Sequence, residues 1–283
     1  MKLARFWEKS DGSKVKCELC PNYCLIDSGK RGSCGVRINK EGKLFSEIYG
    51  EMTSLALDAI EKKPLYHYHS GENILSIGTK GCNFHCGFCQ NWGISQELKT
   101  PTQSISSVEV VKKAKDTKSF GIAYTYNEPF IWYEFVFDTA TIAKENKLEN
   151  VLVTNGYVNQ KPLDEILPLI DAMNIDVKSM REDFYLKICK GKLKPVLETA
   201  KKAKKHCHVE ITNLIIPTLN DSEEDFIKLS DWIKKELGSD TPLHFSRYFP
   251  CYKFDIPPTP LSTLKAAEEI AKRRLKHVYL GNV

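Results

Sequence analysis

The sequence predicts an α/β protein, a partial (β/α)6 barrel of the TIM-like kind with a small cysteine-rich module in front of it. From about residue 73 to the end, short apolar runs alternate with stretches of helical spacing. Such alternation is typical of parallel strands covered by helices. Six to seven repeats suit a barrel, or an open partial barrel, better than a small doubly wound sheet. Residues 1–50, by contrast, contain four cysteines, two glycine-rich turns and little periodic apolar pattern.

The elements of the barrel follow from local patterns. Ser222 stands before three acidic residues, which is typical of a helix N-cap with a negative first turn. Predicted strands cover 74–79, 120–126, 151–154, 172–177, 209–216, 243–246 and 278–280, and predicted helices cover 108–118, 130–146, 163–170, 196–205, 223–237 and 262–276. These assignments divide the chain into a cysteine-rich metal-binding module (1–50), a connecting segment (51–72) and the barrel (73–283).

Composition narrows the class of protein. The 283 residues are 42% hydrophobic and 27% charged, which supports a sizeable core and excludes disorder over most of the chain. The net charge is only +5, and the basic runs at 201–205 and 272–276 lie in predicted helices, so we expect solvated helix faces rather than a nucleic-acid surface. No run reaches the ~18 apolar residues of a membrane span, and the first residues lack the apolar core of a signal peptide. We expect a cytoplasmic protein without a membrane partner.

The most specific feature is a C-x3-C-x2-C loop directly after the first barrel strand, formed by Cys82, Cys86 and Cys89. Active sites of parallel α/β folds assemble in loops at the C-terminal ends of strands. Three thiolates on a [4Fe–4S] cluster leave one iron open to a substrate or cofactor. Two alternatives are a zinc knuckle that borrows His85 as its fourth ligand and three unligated core cysteines.

On these residues the chain resembles the radical S-adenosylmethionine (SAM) superfamily, whose signature has an aromatic residue, here Phe88, before the third cysteine. Residues 75–96 are similar to the branch of pyruvate formate-lyase activating enzymes, and within it to the radical SAM protein of the AmmeMemoRadiSam system. The resemblance implies an oxidoreductase with a radical SAM barrel, a [4Fe–4S] cluster and SAM. The cluster would cleave SAM reductively to a 5′-deoxyadenosyl radical, which abstracts a substrate hydrogen.

The substrate remains open at this stage. The resemblance to activating enzymes implies a glycyl Cα–H in a partner protein, and an electron donor such as flavodoxin or ferredoxin. One alternative is radical modification of a small molecule or nucleotide, and another is a non-catalytic zinc-binding scaffold.

The resemblance also implies which residues contact SAM. Glu128 would bind its ammonium group, and Lys178 would pair with its carboxylate in a charge-assisted contact. His244 and Arg247 are candidates on the substrate side. The full set of expected cofactor-binding residues is Phe88, Asn127, Glu128, Thr154, Asn155, Asp176, Lys178, Asn213 and Pro217.

A second cysteine cluster lies in the N-terminal module. Cys17, Cys20, Cys24 and Cys34 supply four thiolates within 18 residues, on a segment with too little apolar content to fold unaided. Four soft ligands suit either a tetrahedral zinc ion or a fully ligated second iron–sulfur cluster. The sequence does not choose between them.

Overall fold

The N-terminal module consists of two small antiparallel sheets. The structure, a computed structural model, describes residues 1–283. The strands of the module are β1 (Lys2–Leu3), β2 (Trp7–Lys9), β3 (Val15–Cys17), β4 (Leu25–Ile26), β5 (Arg37–Lys40) and β6 (Lys43–Ser46). One sheet has the order β1-β6-β5 and the other β2-β3-β4.

The segment after the module, residues 51–72, contributes a strand to the sheet of the barrel. It contains β7 (Glu51–Met52) and β8 (Ser54–Ala59), and β8 pairs antiparallel with the first barrel strand along all six of its residues. The predicted boundary at residue 73 therefore separates two paired strands. Most residues of β8 are half-buried, because it is the edge strand of the sheet. It consequently lacks the apolar run by which the other strands were predicted.

The barrel follows the predicted alternation of strands and helices. Its elements are β9 (Asn73–Gly78), α1 (Trp92–Ser95), β10 (Gln103–Ser104), α2 (Ser107–Asp116), β11 (Gly121–Tyr124), α3 (Tyr133–Glu145), β12 (Glu149–Thr154), α4 (Gln160–Ile166), β13 (Ala172–Asp176), α5 (Glu182–Phe184), α6 (Leu193–Ala203), β14 (His208–Ile215), α7 (Glu223–Glu236), β15 (Leu243–Arg247), α8 (Leu261–Lys272) and β16 (Val278–Gly281). The main sheet has the order β16-β15-β14-β13-β12-β11-β9-β8, and every pair except β8–β9 is parallel. Six strand–helix units and a closing strand confirm the partial (β/α)6 barrel.

Two helix ends differ from the predicted bounds. The helix predicted from residue 130 begins as a 3-10 turn over Pro129–Trp132, and the last helix ends at Lys272, four residues early. The N-cap at Ser222 is confirmed: its hydroxyl accepts a hydrogen bond from the Asp225 amide at 3.2 Å, and the Asp225 carboxylate accepts one from the Ser222 amide. This reciprocal pair is a capping box.

The two ends of the barrel differ. Residues 63–67 cross the N-terminal end, where the amides of Tyr66 and His67 donate to the buried Glu210 carboxylate at 3.1 and 2.8 Å. The C-terminal end carries the cysteine loop and an open cavity. The N-terminal module is attached beside this loop through a buried ion pair between Arg37 and Glu134, at 2.7 Å.

No helix has the length and apolar character needed to cross a lipid bilayer.

Candidate active site

The three cysteines of the loop between β9 and α1 line one cavity of about 350 Å³ at the C-terminal end of the barrel. Gly81 starts the loop with φ of +91°, a conformation that favours glycine. A Cβ there would lie 2.8 Å from the Cys34 carbonyl oxygen, so the turn requires a glycine. The Phe84 amide donates to the Cys82 sulfur at 3.4 Å, which favours a thiolate at that position.

Burial keeps these thiols protonated while they are unligated. It raises the pKa of Cys82 and Cys89, and the neighbouring Cys189 thiol together with burial raises the pKa of Cys86. Metal binding at the loop must therefore release protons. Cys189, which sequence reasoning did not single out, is buried beside Cys86 and does not line the cavity.

His85 is not a fourth ligand. Its Nε2 lies 2.9 Å from the Ser33 hydroxyl and its Nδ1 lies 3.0 Å from the Gln96 side-chain oxygen, so both ring nitrogens have partners, and His85 itself does not line the cavity. The loop therefore presents three cysteines to the cavity without His85, and a zinc knuckle that uses His85 as its fourth ligand is not formed.

Glu128 lies on the opposite wall of the cavity, after β11. Its side chain is 2% exposed and accepts hydrogen bonds from the Phe130 amide (3.0 Å), the Thr154 hydroxyl (2.7 Å) and the Asn155 amide (2.8 Å). Burial outweighs these three bonds and raises the pKa of Glu128 to about 7. A carboxylate has about four acceptor positions, so one remains for a ligand in the cavity.

The turn before Glu128 is formed by two residues other than glycine, Tyr126 and Asn127. Tyr126 adopts φ of +72°, a region that glycine favours and that other residues seldom occupy. Its hydroxyl donates to Asp58 at 2.7 Å, and its carbonyl accepts from the Asn91 side chain at 2.6 Å. These two contacts hold the strained turn in place from both sides.

Asparagine side chains brace the cysteine loop. Asn127 donates to the Gly81 carbonyl at 2.9 Å and accepts from the Thr79 amide at 3.1 Å, so it fixes the start of the loop as well as lining the cavity. Asn155 donates to the buried side-chain oxygen of Asn83 at 2.9 Å and also approaches the Cys82 sulfur. Asn83, in turn, donates to the Tyr157 carbonyl at 2.7 Å. Sequence reasoning missed Asn83, although its polar side chain between two ligand cysteines was a signal.

A lysine–aspartate pair faces Glu128 across the cavity. Lys178 Nζ lies 3.0 Å from Asp176 Oδ2, and its side chain is 14% exposed. Burial opposes the charge of Lys178, but the Asp176 carboxylate raises its pKa overall. Lys178 therefore stays cationic. Its Nζ also lies 5.7 Å from the centre of the buried Phe88 ring, which fixes the ammonium beside the cysteine loop.

Some expected residues lie elsewhere. Along β14, Thr212 and Leu214 line the cavity, whereas Asn213 points away and donates to the Val177 carbonyl at 2.8 Å, because strand residues alternate between faces. Pro217 does not line the cavity either. These two residues are not brought together with the rest of the expected cofactor-binding set, which is otherwise assembled around the cavity.

The two candidates for the substrate side are also outside the cavity. His244 is buried at the closed end of the barrel, with Nε2 2.6 Å from Glu210, and Arg247 donates to the Thr259 carbonyl at 2.9 Å. In their place the structure presents Lys63, which is 2% exposed and lies 2.8 Å from Asp58. Burial opposes the charge of Asp58, yet hydrogen bonds from Lys63 and Tyr126 lower its pKa to about 2.

A family model and several known proteins match this chain. Residues 76–233 match the family model described as the radical SAM superfamily. The chain is 48% identical over 288 residues to an uncharacterized protein of Methanocaldococcus jannaschii, covering 100% of this chain and 86% of that protein. A pyruvate formate-lyase-activating enzyme of Clostridium pasteurianum is 30% identical over 162 residues, or 55% of this chain and 67% of the enzyme.

Solved structures show the same fold. A radical SAM methyltransferase from Sphaerobacter thermophilus aligns with a TM-score of 0.59 at 14% identity, over 75% of this chain and 67% of its own. SuiB of Streptococcus suis, solved with S-adenosylmethionine bound, aligns with a TM-score of 0.58 at 14% identity, over 74% of this chain and 52% of its own. At these identities the likeness extends to the fold alone.

Proposed function

Because this chain belongs to the radical SAM superfamily, we propose that it is an activating enzyme that abstracts a hydrogen atom from a glycyl Cα of a protein substrate. The superfamily uses a [4Fe–4S] cluster and SAM, and these are the cofactors of this chain. When bound, they supply the chemistry: one electron at the cluster cleaves SAM to a 5′-deoxyadenosyl radical. The observation that carries the proposal is the cavity that Cys82, Cys86 and Cys89 share with Glu128 and Lys178.

The donor set of the cavity fits both cofactors. Cys82, Cys86 and Cys89 provide three thiolates, which is one fewer than a closed cluster site uses. Glu128 retains one free acceptor position for the SAM ammonium group. Lys178, held cationic beside Asp176, provides a donor for its carboxylate.

The chain's own residues position these groups. Asn127 and Asn83 hold the start of the cysteine loop on both sides of Cys82, so this sulfur keeps its place without the loop itself being regular. Phe88 is buried against Phe184 and Phe254, and this apolar contact keeps water from one side of the loop. Exclusion of water protects a radical from side reactions.

The size of the cavity favours a substrate that enters from outside. Sites for drug-sized ligands measure ~300–1,000 Å³, so a cavity of 350 Å³ that holds SAM beside the cluster leaves little room for a second molecule. The exposed residues that line it are Lys62, Gln90, Asn91 and Asn282. A narrow extended segment of polypeptide, with glycine at its tip, is a substrate that could reach through such an opening. The similarity to activating enzymes over 162 residues supports the same choice.

A second candidate is radical modification of a polar small molecule. Lys63, Asn174 and Thr212 line the cavity from the direction of the closed end, and Thr212 donates to Asn174 at 2.9 Å. Polar groups at this depth are of the kind that orient a small polar substrate. In either case a low-potential donor, such as reduced flavodoxin or ferredoxin, would supply the electron.

Isotope transfer separates the two candidates. Cells are grown on glycine deuterated at Cα, and their extract is separated into protein and low-mass fractions. Each fraction is added anaerobically to the reconstituted enzyme with SAM and reductant. We expect deuterium in 5′-deoxyadenosine with the protein fraction and not with the low-mass fraction. Deuterium-free 5′-deoxyadenosine from the protein fraction, with turnover stimulated only by the low-mass fraction, would contradict the glycyl proposal. A Cys86→Ala variant controls for SAM cleavage by free iron.

A further inference from the structure

The four cysteines of the N-terminal module converge in the structure. The Cys17 amide donates to the Cys24 carbonyl at 2.9 Å, which pairs the ends of the first loop. The Ser33 amide donates to the Cys24 sulfur at 3.3 Å, so the loop that carries Cys34 folds back onto it. Cys20 lies close enough to Cys17, Cys24 and Cys34 for each to interact electrostatically with it. None of these thiols forms a disulfide.

Backbone amides approach these sulfurs in the same way as one approaches the Cys82 sulfur of the active-site loop. In the active-site loop the amide two residues beyond Cys82, that of Phe84, donates to its sulfur. The same approach of an amide two residues further along recurs in the module, from Leu19 to Cys17, from Asn22 to Cys20 and from Val36 to Cys34. Amide donors favour the thiolate, which is the form that binds metal.

A buried cation without a full set of partners lies beside them. Arg37 is 1% exposed, and its Nη2 donates to Glu134 at 2.7 Å and to the Arg5 carbonyl at 2.8 Å. Its Nε is buried and has no hydrogen-bond partner. Arg37 is close enough to Cys17 and Cys34 to interact with both electrostatically. Buried donors are almost always paired, so Nε is available to donate to a group bound beside Cys17 and Cys34.

The arrangement of the four thiols favours a cluster over a zinc ion. Zinc–sulfur bonds of ~2.3 Å place tetrahedral sulfurs ~3.8 Å apart. No group of three or more Cys, His, Asp or Glu side chains in the chain, the N-terminal cysteines included, is arranged to hold a single metal ion. The same holds for Cys82, Cys86 and Cys89, to which the proposed function assigns a four-iron cluster.

We propose that Cys17, Cys20, Cys24 and Cys34 bind a second [4Fe–4S] cluster, one cysteine on each iron, with Arg37 donating from Nε to a thiolate or inorganic sulfide. Because all four irons have protein ligands, this cluster has no open position for SAM. The site is independent of which substrate the barrel acts on.

The position of the second cluster suits electron entry. The Cys34 carbonyl adjoins Gly81, directly before the first ligand of the active-site loop, and Ser33 lies 2.9 Å from His85. Asn22 donates to the Asn83 carbonyl at 3.0 Å. A low-potential donor such as reduced flavodoxin would give one electron to the N-terminal cluster and be oxidised by one. That cluster would return to its oxidised state as it passes the electron to the active-site cluster, which is reduced by one.

Metal analysis of two matched variants tests the site. The Cys82→Ala/Cys86→Ala/Cys89→Ala protein leaves the N-terminal module unchanged, so its result does not depend on whether an altered module folds. After anaerobic reconstitution we expect about four irons and four sulfides per chain in this variant and about eight of each in the parent. After reduction, its electron paramagnetic resonance signal should not respond to SAM. One zinc and no iron, or no metal at all, would overturn the proposal.

The complementary variant tests electron entry. A Cys17→Ala/Cys20→Ala protein should keep about four irons and a resonance signal that responds to SAM. With dithionite, which reduces an exposed cluster directly, it should form 5′-deoxyadenosine at close to the parent rate, but with reduced flavodoxin the rate should fall at least tenfold. An equal rate with both reductants would overturn the role in electron entry. If this variant loses its fold, the parent protein is reduced chemically in stages instead. Two clusters that accept electrons independently, with no electron exchange between them, would contradict electron transfer from the N-terminal cluster to the active-site cluster.

Discussion

Replacing Lys178 by methionine tests how the cavity recognises the carboxylate of SAM. The side chain is 14% exposed, so solvent screens its interactions little. A hydrogen bond to a charged group contributes ~1.5–3 kcal/mol, and removing it should therefore raise the Kd for SAM roughly 10- to 150-fold. Cluster assembly should be unaffected, because Lys178 follows β13 and the three cysteines lie on a different loop.

The measurement has to separate the lost contact from its effect on Asp176. Lys178→Met leaves the Asp176 carboxylate without its partner at 3.0 Å, and that unpaired negative charge would itself repel the SAM carboxylate. An Asp176→Asn/Lys178→Met protein removes both charges. If the double variant recovers most of the affinity, repulsion by Asp176 accounts for the loss. If it remains as weak as the single variant, the missing cation does.

SAM affinity is measured by calorimetry on anaerobically reconstituted protein, with iron content and visible absorbance determined on the same samples. Lys187→Met is the matched control, since Lys187 is an exposed lysine in the turn that follows the same strand. A Kd within twofold of the parent value in Lys178→Met, at unchanged iron content, would refute the assignment of Lys178 to the SAM carboxylate.

Three further predictions concern other walls of the cavity. Cys86→Ala should lose the active-site cluster and yield no 5′-deoxyadenosine, and a parent rate in that assay would disprove the ligand assignment. Because the pKa of Glu128 is raised to about 7, the free protein carries a neutral Glu128 carboxyl below that pH. The affinity for SAM should therefore fall about tenfold per pH unit below pH 7, and in Glu128→Gln it should not change with pH. Calorimetry between pH 5.5 and 8.5 measures both. Asn83→Ala leaves the side-chain amide of Asn155 and the Tyr157 carbonyl without this partner, so urea unfolding should show a loss of about 1–3 kcal/mol, against little change in Asn73→Ala, whose side chain is exposed.

The barrel could be predicted from sequence because its strands are buried on both faces. Runs such as Ile74–Ile77 and Ile122–Tyr124 are nearly continuous in apolar residues, and each is followed by a helix with an amphipathic period. This pattern depends on local burial alone. The strand Ser54–Ala59 was not predicted, because an edge strand in half-buried surroundings has no such run.

That Cys82, Cys86, Cys89, Glu128 and Lys178 line one cavity could be predicted for a different reason. These residues follow the C-terminal ends of predicted strands, and parallel strands place those ends at one edge of the sheet. Their positions in the sequence therefore predict that they lie near one another. The same logic could not decide which way a side chain on the strand faces. Asn213 and His244 illustrate the limit: one faces away from the cavity, and the other lies at the opposite end of the barrel.

Contacts between distant segments account for what the sequence could not show. Lys63 reaches the cavity because residues 63–67 cross the closed end of the barrel, and that path depends on Glu210, Asn174 and Tyr279, which lie more than a hundred residues further on. The N-terminal module approaches the active-site loop through Ser33, which pairs with His85 52 residues later. No local pattern encodes either contact. Both contacts are made by segments that precede β9, the first parallel strand, and each joins such a segment to a part of the chain that follows the start of β9.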